Sequence, residues 1–244
     1  KHPSPFKSLV LVLGLLFSGQ AYADVPLGKE KAPRVSGHRD LMPTMPPSLS
    51  FKRQGAPKMV PMSDSKPIVN REVMGNLPYW IDDYEPQWEL LTILAWFGVE
   101  MSPKGDIDNL HGWGNESTEA LVASAKAHGV RVIVTVTLFD DDGIATLLGD
   151  PEYRQNAIKS CLEMIAVHEV DGINIDFEFV PAQAKENFVT FMKDLKLAVK
   201  NVQPNGWDGH VSLAGPAVDW DGAYDYDQLL IHSDGIMVMA YGYH

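Results

Sequence analysis

The stretch DGINIDFEFV, Asp171 to Val180, decides how this chain is read. It is apolar and β-branched, yet Asn174, Asp176 and Glu178 take every second position. Successive side chains of a strand point to opposite faces. These three therefore share one face, and Ile173, Ile175 and Phe177 share the other. An ordinary amphipathic strand turns such a polar face to water. The alternative is a strand whose polar face looks into an enclosed site, and the rest of the chain decides between them.

Around this stretch strands and helices alternate. Val73–Trp80 (VMGNLPYW) and Leu91–Val99 (LTILAWFGV) read as the first two strands. A helix capped by Ser117 runs to about His128 and stops at Gly129. Val130–Thr137 (VRVIVTVT) is a third strand. Asp150-Pro151-Glu152 opens the next helix, with aspartate at the N-cap and proline at the first helical position; it runs to about Glu169. After the fourth strand, 171–180, an amphipathic helix places Phe188, Phe191, Leu195, Ala198 and Val202 on one face. His210–Ala214 and Gly235–Tyr241 complete the series as strands five and six.

Apolar strands alternating with helices imply parallel pairing with helices outside. A doubly wound open sheet and a (β/α)8 TIM barrel both satisfy that. No glycine-rich phosphate loop follows a strand, which disfavours a nucleotide site. A barrel explains the opening stretch better, because its inward residues climb toward catalytic positions at the C-terminal strand ends. Asn174, Asp176 and Glu178 would line the interior, with Glu178 nearest the mouth.

The composition places the chain. Lys1 and Lys7 flank the apolar run Leu9–Phe17, and Ala21-Tyr22-Ala23 follows, so residues 1–23 read as a secretory signal cleaved before Asp24. The run falls short of the roughly 20 residues that span a bilayer, so no stable membrane insertion is expected once the signal is removed. Residues 24–68 are proline-rich and basic, the composition of an extended linker or arm. From Val69 to His244, 10 Lys and Arg face 28 Asp and Glu. A domain this acidic repels nucleic acid and anionic lipid; a neutral or cationic polymer suits it better. Cys161 stands alone and reads as a buried core thiol. The eight histidines show no ligand spacing, so neither metal nor cofactor is expected.

DGINIDFE resembles the DGxDxDxE signature that family 18 glycoside hydrolases, the chitinase family, carry on the fourth barrel strand. AYDYDQLLIHSDGIMVMAYGYH (Ala223–His244) is similar to that family's sixth-strand region, with Met239 and Tyr241 in its Met-x-Tyr. GNLPYW and the second strand are similar too, so the resemblance covers roughly Val69 to His244. It implies a secreted or cell-envelope hydrolase of β-1,4-linked N-acetylglucosamine polymers, and a barrel truncated after about its sixth strand. In that family the acetamido oxygen of the sugar attacks its own anomeric carbon. The resemblance gives Glu178 the role of acid and base, Asp176 that of stabilising the cyclic cation, and Tyr241 that of holding the acetamido oxygen. Asn174 and Met239 join them as substrate-binding candidates.

Three positions depart from the pattern. Asn174 replaces the middle aspartate; an amide donating to Asp176 would favour that group's charged form. Asn174 with the following Val180-Pro181 resembles a branch that includes spore-cortex peptidoglycan hydrolases, so both chitin and peptidoglycan are candidate substrates. Gly242 stands where the family has aspartate, and VTVTLFDDD replaces Ser-x-Gly-Gly. Trp80 and Trp220, at strand ends on the active face, are candidate stacking platforms, whereas Trp88, Trp96, Trp113 and Trp207 are assigned to packing. Asp140, Asp141 and Asp142 read as a solvated, helix-capping run rather than a calcium site. A lectin on the same barrel is the rival class; its usual mark is loss of the catalytic glutamate, and Glu178 is present.

Overall fold

The computed structural model describes residues 71–81, 84–202 and 208–240. The expected signal (1–23), the whole of the proline-rich arm (24–68), Trp207, Tyr241 and Gly242 lie outside the described residues.

Six strands pair in parallel: β1 (Met74–Pro78), β2 (Ile93–Met101), β4 (Arg131–Leu138), β5 (Gly172–Phe177), β6 (His210–Pro216) and β7 (Gly235–Met239). The order follows the chain, and a short β3 (Ile107–Asn109) folds back antiparallel on β2. The helices are α1 (Glu116–Ala127), α2 (Asp141–Gly149), α3 (Pro151–His168), α4 (Lys185–Val202) and α5 (Tyr226–Ile231). Sequential parallel strands with helical crossovers make the curled half-barrel of a (β/α)8 architecture.

Alternation along the strands builds two apolar layers. Leu94, Trp96, Val132, Val134, Val136, Ile173, Ile175, Phe177, Val211 and Leu213 turn outward into one core with the helices. Phe177 stacks on Phe188 and Phe191 of α4 at ring separations of 6.2 and 5.8 Å. Met74, Ile93, Ala95, Ile133, Ala214 and Met237 turn inward and cluster with one another. The sheet is curled tightly enough for its two outermost parallel strands to meet, since Asn76 Nδ2 donates to Met237 Sδ at 3.1 Å.

Three strand pairs share a clamp. The residue just before β2, β5 and β7 accepts, through its side chain, a backbone N–H of the preceding strand or the residue leading into it. Val73 donates to Thr92 Oγ1 (2.7 Å), Val132 to Asp171 Oδ2 (2.8 Å) and Val211 to Asp234 Oδ2 (2.7 Å). Asp171 is followed by Gly172 because β6 approaches there. A Cβ on Gly172 would lie 2.0 Å from the His210 carbonyl oxygen.

Several expectations are corrected. Asn115, not Ser117, caps α1: its Oδ1 accepts from Thr118 N (3.0 Å), and Ser117 only donates its hydroxyl to the same oxygen (2.7 Å). Val202 is exposed, because α4 buries Phe188, Phe191, Met192, Leu195 and Val199 instead. The short elements β3, α2 and α5 were not anticipated. The aspartate run does cap a helix, Asp140 Oδ2 accepting from Gly143 N at 2.7 Å. Cys161 is fully buried, which pushes its thiol up to about 12.

Candidate active site

β5 is buried along its whole length, and it carries its polar residues on the inward face. Strand register gives their neighbours. Asn174 lies opposite Thr135 of β4 and Ser212 of β6, and Asp176 lies opposite Thr137. Glu178 sits one residue past the strand, where its N–H donates to the Leu138 carbonyl (3.2 Å). Phe179 then takes a left-handed backbone, φ 68°. That conformation costs a non-glycine residue about 1 kcal/mol or more and turns the chain directly after Glu178. Asp176 is fully buried and Glu178 is 5% exposed. Residues two apart on a strand stand about 7 Å apart at Cα, so both carboxylates meet a ligand from the same side.

Below Asp176 the interior is polar. Ser212 Oγ donates to Asn174 Oδ1 (2.8 Å), and Asn174 Nδ2 reaches Thr135 Oγ1 (3.4 Å). The amide therefore bonds across the sheet to Thr135 and Ser212, and the donation to Asp176 considered from the sequence is not made. Adjacent strands are about 4.8 Å apart, closer than the next inward residue of the same strand, so lateral partners win. Asn174 itself is fully buried.

Sequence reasoning missed Tyr224. This tyrosine is buried, and its hydroxyl donates at 2.6 Å to the carbonyl of Phe177, the residue between Asp176 and Glu178. Burial pushes its pKa well above the ordinary tyrosine value, and the negative charge of Asp176 adds to the rise, with Tyr226, Glu178 and Asp219 contributing less. Tyr224 thus stays a neutral donor beside the carboxylates. The loop that carries it is closed by Asp219, whose two oxygens accept from Ala223 N (3.1 Å) and Tyr224 N (2.7 Å). Tyr226 donates to the Pro216 carbonyl and stacks on Tyr224. The paired tyrosines of AYDYD were the available signal.

The remaining candidates are scattered around the mouth. Trp220 rides the tip of that loop, 89% exposed. Trp80 is half-buried just past β1, edge-on to Tyr79 and to Phe97. Met239 is half-buried at the end of β7, packed on the inner cluster. Trp96 and Trp113 are buried as expected, and Trp88 is half-buried, stacked on His128. A cavity of about 330 Å³ lies between α1 and the end of α3, and no candidate site residue lines it.

Residues 77–244 match the family model described as glycosyl hydrolases family 18. The chain belongs to this family. Among its relatives, a putative sporulation-specific glycosylase, YdhD, of Bacillus subtilis is 24% identical over 199 residues, which is 73% of this chain and 44% of that protein. A family 18 chitinase from Cycas revoluta, solved with (GlcNAc)4, superposes with a TM-score of 0.60 at 20% identity, over 70% of this chain and 55% of that one. The Bacillus cereus spore cortex-lytic enzyme SleL superposes with a TM-score of 0.55 at 19% identity, over 69% and 40% of the two chains. The family 18 chain thus spans under half the length of YdhD and about half that of the solved neighbours. Among the described residues, no helix is long and apolar enough to cross a membrane.

Proposed function

We propose that this family 18 chain contributes the catalytic strand of a secreted, retaining hydrolase of β-1,4-linked N-acetylglucosamine polymers. The observation that carries the reading is the pair of buried carboxylates, Asp176 and Glu178, on one inward face at the C-terminal end of β5. A conventional retaining enzyme sets acid and nucleophile on opposite sides of the sugar. Two groups on the same side suit a reaction in which the substrate's acetamido oxygen is the nucleophile. Glu178, nearest the mouth, protonates the departing glycosidic oxygen and afterwards takes a proton from water. Asp176 accepts the acetamido N–H and offsets the positive charge of the cyclic intermediate. Tyr241 holds the acetamido oxygen, and Met239, Trp80 and Trp220 border the groove.

Chitin-type polymer is the leading substrate, favoured by an acidic domain. Peptidoglycan is the second, favoured by Asn174 and by likeness to a sporulation-specific glycosylase and a spore cortex-lytic enzyme. Release of soluble products from both polymers, with the product anomer followed by NMR, tests the reading. The nascent product is expected as the β-anomer, and Glu178→Gln is expected to bind polymer while losing about 10³- to 10⁴-fold in turnover. A lectin would release nothing from either polymer. Parent-like turnover by Glu178→Gln would remove the acid from this residue.

A further inference from the structure

The groove between α1 and α3 has no part in the site described above. Trp113 is buried at its base, with Val122 and Ala123 of α1 on one wall and Val167 of α3 on the other. His168 stands edge-on to Trp113, ring centroids 5.5 Å apart. It is held against the loop before α1, since a Cβ on Gly114 would lie 2.6 Å from its Cε1. Burial lowers the His168 pKa, against the opposing charge of Glu119, so the imidazole is neutral at pH 7. Uncharged rings and aliphatic groups therefore line the interior. Charge is confined to exposed residues of the rim, Glu119 and Lys126 on α1 and Glu169 after α3, with Lys126 Nζ 3.4 Å from Glu169 Oε2.

Val167 is 72% exposed, and among the described large apolar side chains only Trp220 is more so. An amphipathic barrel helix buries such a residue against its neighbours. Here a cavity of about 330 Å³ stands open beside it instead. That volume lies at the low end for ligand pockets, room for one or two apolar side chains and too little for a polymer. The sequence contains a fitting occupant. The arm 24–68 holds 8 Lys and Arg against 4 Asp and Glu, whereas residues 69–244 hold 10 against 28. Opposite net charges draw the two together. Phe51 is the arm's one aromatic residue, and Lys52 and Arg53 follow it directly. It lies 20 positions before Arg71, the first described residue, and that length of chain spans up to about 70 Å. A domain of about 170 residues has a radius of gyration of about 15 Å, so Phe51 can reach any face of it.

We propose that the chain's own arm docks on this groove, with Phe51 in the cavity and Lys52 and Arg53 against Glu119 and Glu169. The proposal is independent of the glycosidase reading. A tethered segment needs little intrinsic affinity, because a flexible linker supplies an effective concentration on the order of 1 mM. A contact with a Kd of about 0.1 mM is then roughly nine-tenths formed. Proteolysis follows the population of the open form, so docking shields the bonds after Lys52 and Arg53.

The test uses the full chain. Trypsin cleavage after Lys52 and Arg53 is timed by mass spectrometry in the parent, Phe51→Ser and Val167→Asp, with circular dichroism checking the fold. Val167→Asp leaves the cleaved bonds untouched. Both substitutions should speed cleavage there about tenfold, while cleavage after Lys31 and Arg34 keeps the parent's rate. Cross-linking gives the address. Cys161 is the chain's one cysteine and is buried, so Ser50→Cys with Ala123→Cys adds the reactive pair and keeps Phe51 and Val167. Its intramolecular disulfide should close at least about tenfold faster than that of Ser50→Cys with Leu197→Cys, Leu197 being an exposed residue of α4. Equal cleavage in all three proteins, or equal closure of both cysteine pairs, would overturn the docking. A disulfide formed only between two copies would overturn it too, and assign the groove to a second chain.

Discussion

The two ends of β5 carry buried acids in a single run of eight residues, and they do opposite things. At the start, Asp171 faces backbone: its carboxylate takes the Val132 N–H, and Gly172 lets β6 close over it. At the finish, Asp176 and Glu178 face the barrel mouth, set there by strand alternation and by the turn at Phe179. Asp171 has a twin in Asp234, which makes the same bond to Val211 ahead of β7. That strand reads GIMVM and carries no acids. The first half of DGINIDFE is thus a reusable packing device, and the second half holds the two carboxylates proposed for catalysis.

Substitutions can break that division. Gly172→Ala should have the largest effect on the fold. A methyl group aimed at a strand carbonyl cannot be absorbed by side-chain motion, and a loss above about 3 kcal/mol is expected, read by chemical denaturation. Asp171→Ala strands the Val132 N–H, which should cost about 1–3 kcal/mol while turnover per folded molecule stays near the parent's. If Asp171→Ala instead abolished turnover in a fully folded protein, the two ends would not be separable.

Tyr224→Phe sharpens the boundary between packing and chemistry, because the hydroxyl holds the Phe177–Glu178 peptide directly before the proposed acid. About 1 kcal/mol of stability should go, with a fall of roughly tenfold or more in kcat at similar KM. Its pH signature has a definite sign. A tyrosine whose folded pKa lies above its unfolded value near 10 binds more protons folded than unfolded over that window. Stability is therefore complete below about pH 10 and declines as pH rises toward the folded pKa. Tyr224→Phe should flatten that alkaline decline, measured by melting temperature between pH 8 and 11.

Asn174→Asp should have the smallest effect. Ser212 can still donate to the new carboxylate, and the Thr135 hydroxyl can rotate to do so. The acid limb of the activity profile is expected to move, since two buried carboxylates on one face titrate as a pair. The new acid's raised pKa should make the variant relatively less stable as pH climbs past about 4.

How much of this was legible follows from what each feature depends on. The strands showed themselves through unbroken β-branched runs such as VRVIVTVT, and the inward carboxylates through strict alternation over residues 173–178. β3 and α5 are too short for any period to register, being three and six residues long. Ser117 looked like a cap because it precedes the helical pattern, but Asn115 accepts from it and from the helix together. The inward face of β2 was hidden for a sharper reason: a register shift between Phe97 and Val99 inverts the parity on which such reading relies. Tyr224 depends on a loop returning to a strand 47 residues earlier, which no local pattern encodes.

The clamps at Thr92, Asp171 and Asp234 also bear on how the sheet avoids misassembly. A strand shifted by one residue would turn its inward set outward. Here it would also forfeit a side-chain acceptor placed just before its first residue. Each clamp checks the register where pairing begins, before the length of the strand is committed. Three such checkpoints, on alternate junctions, make the half-barrel a row of three proofread strand pairs rather than six strands that must find one another singly.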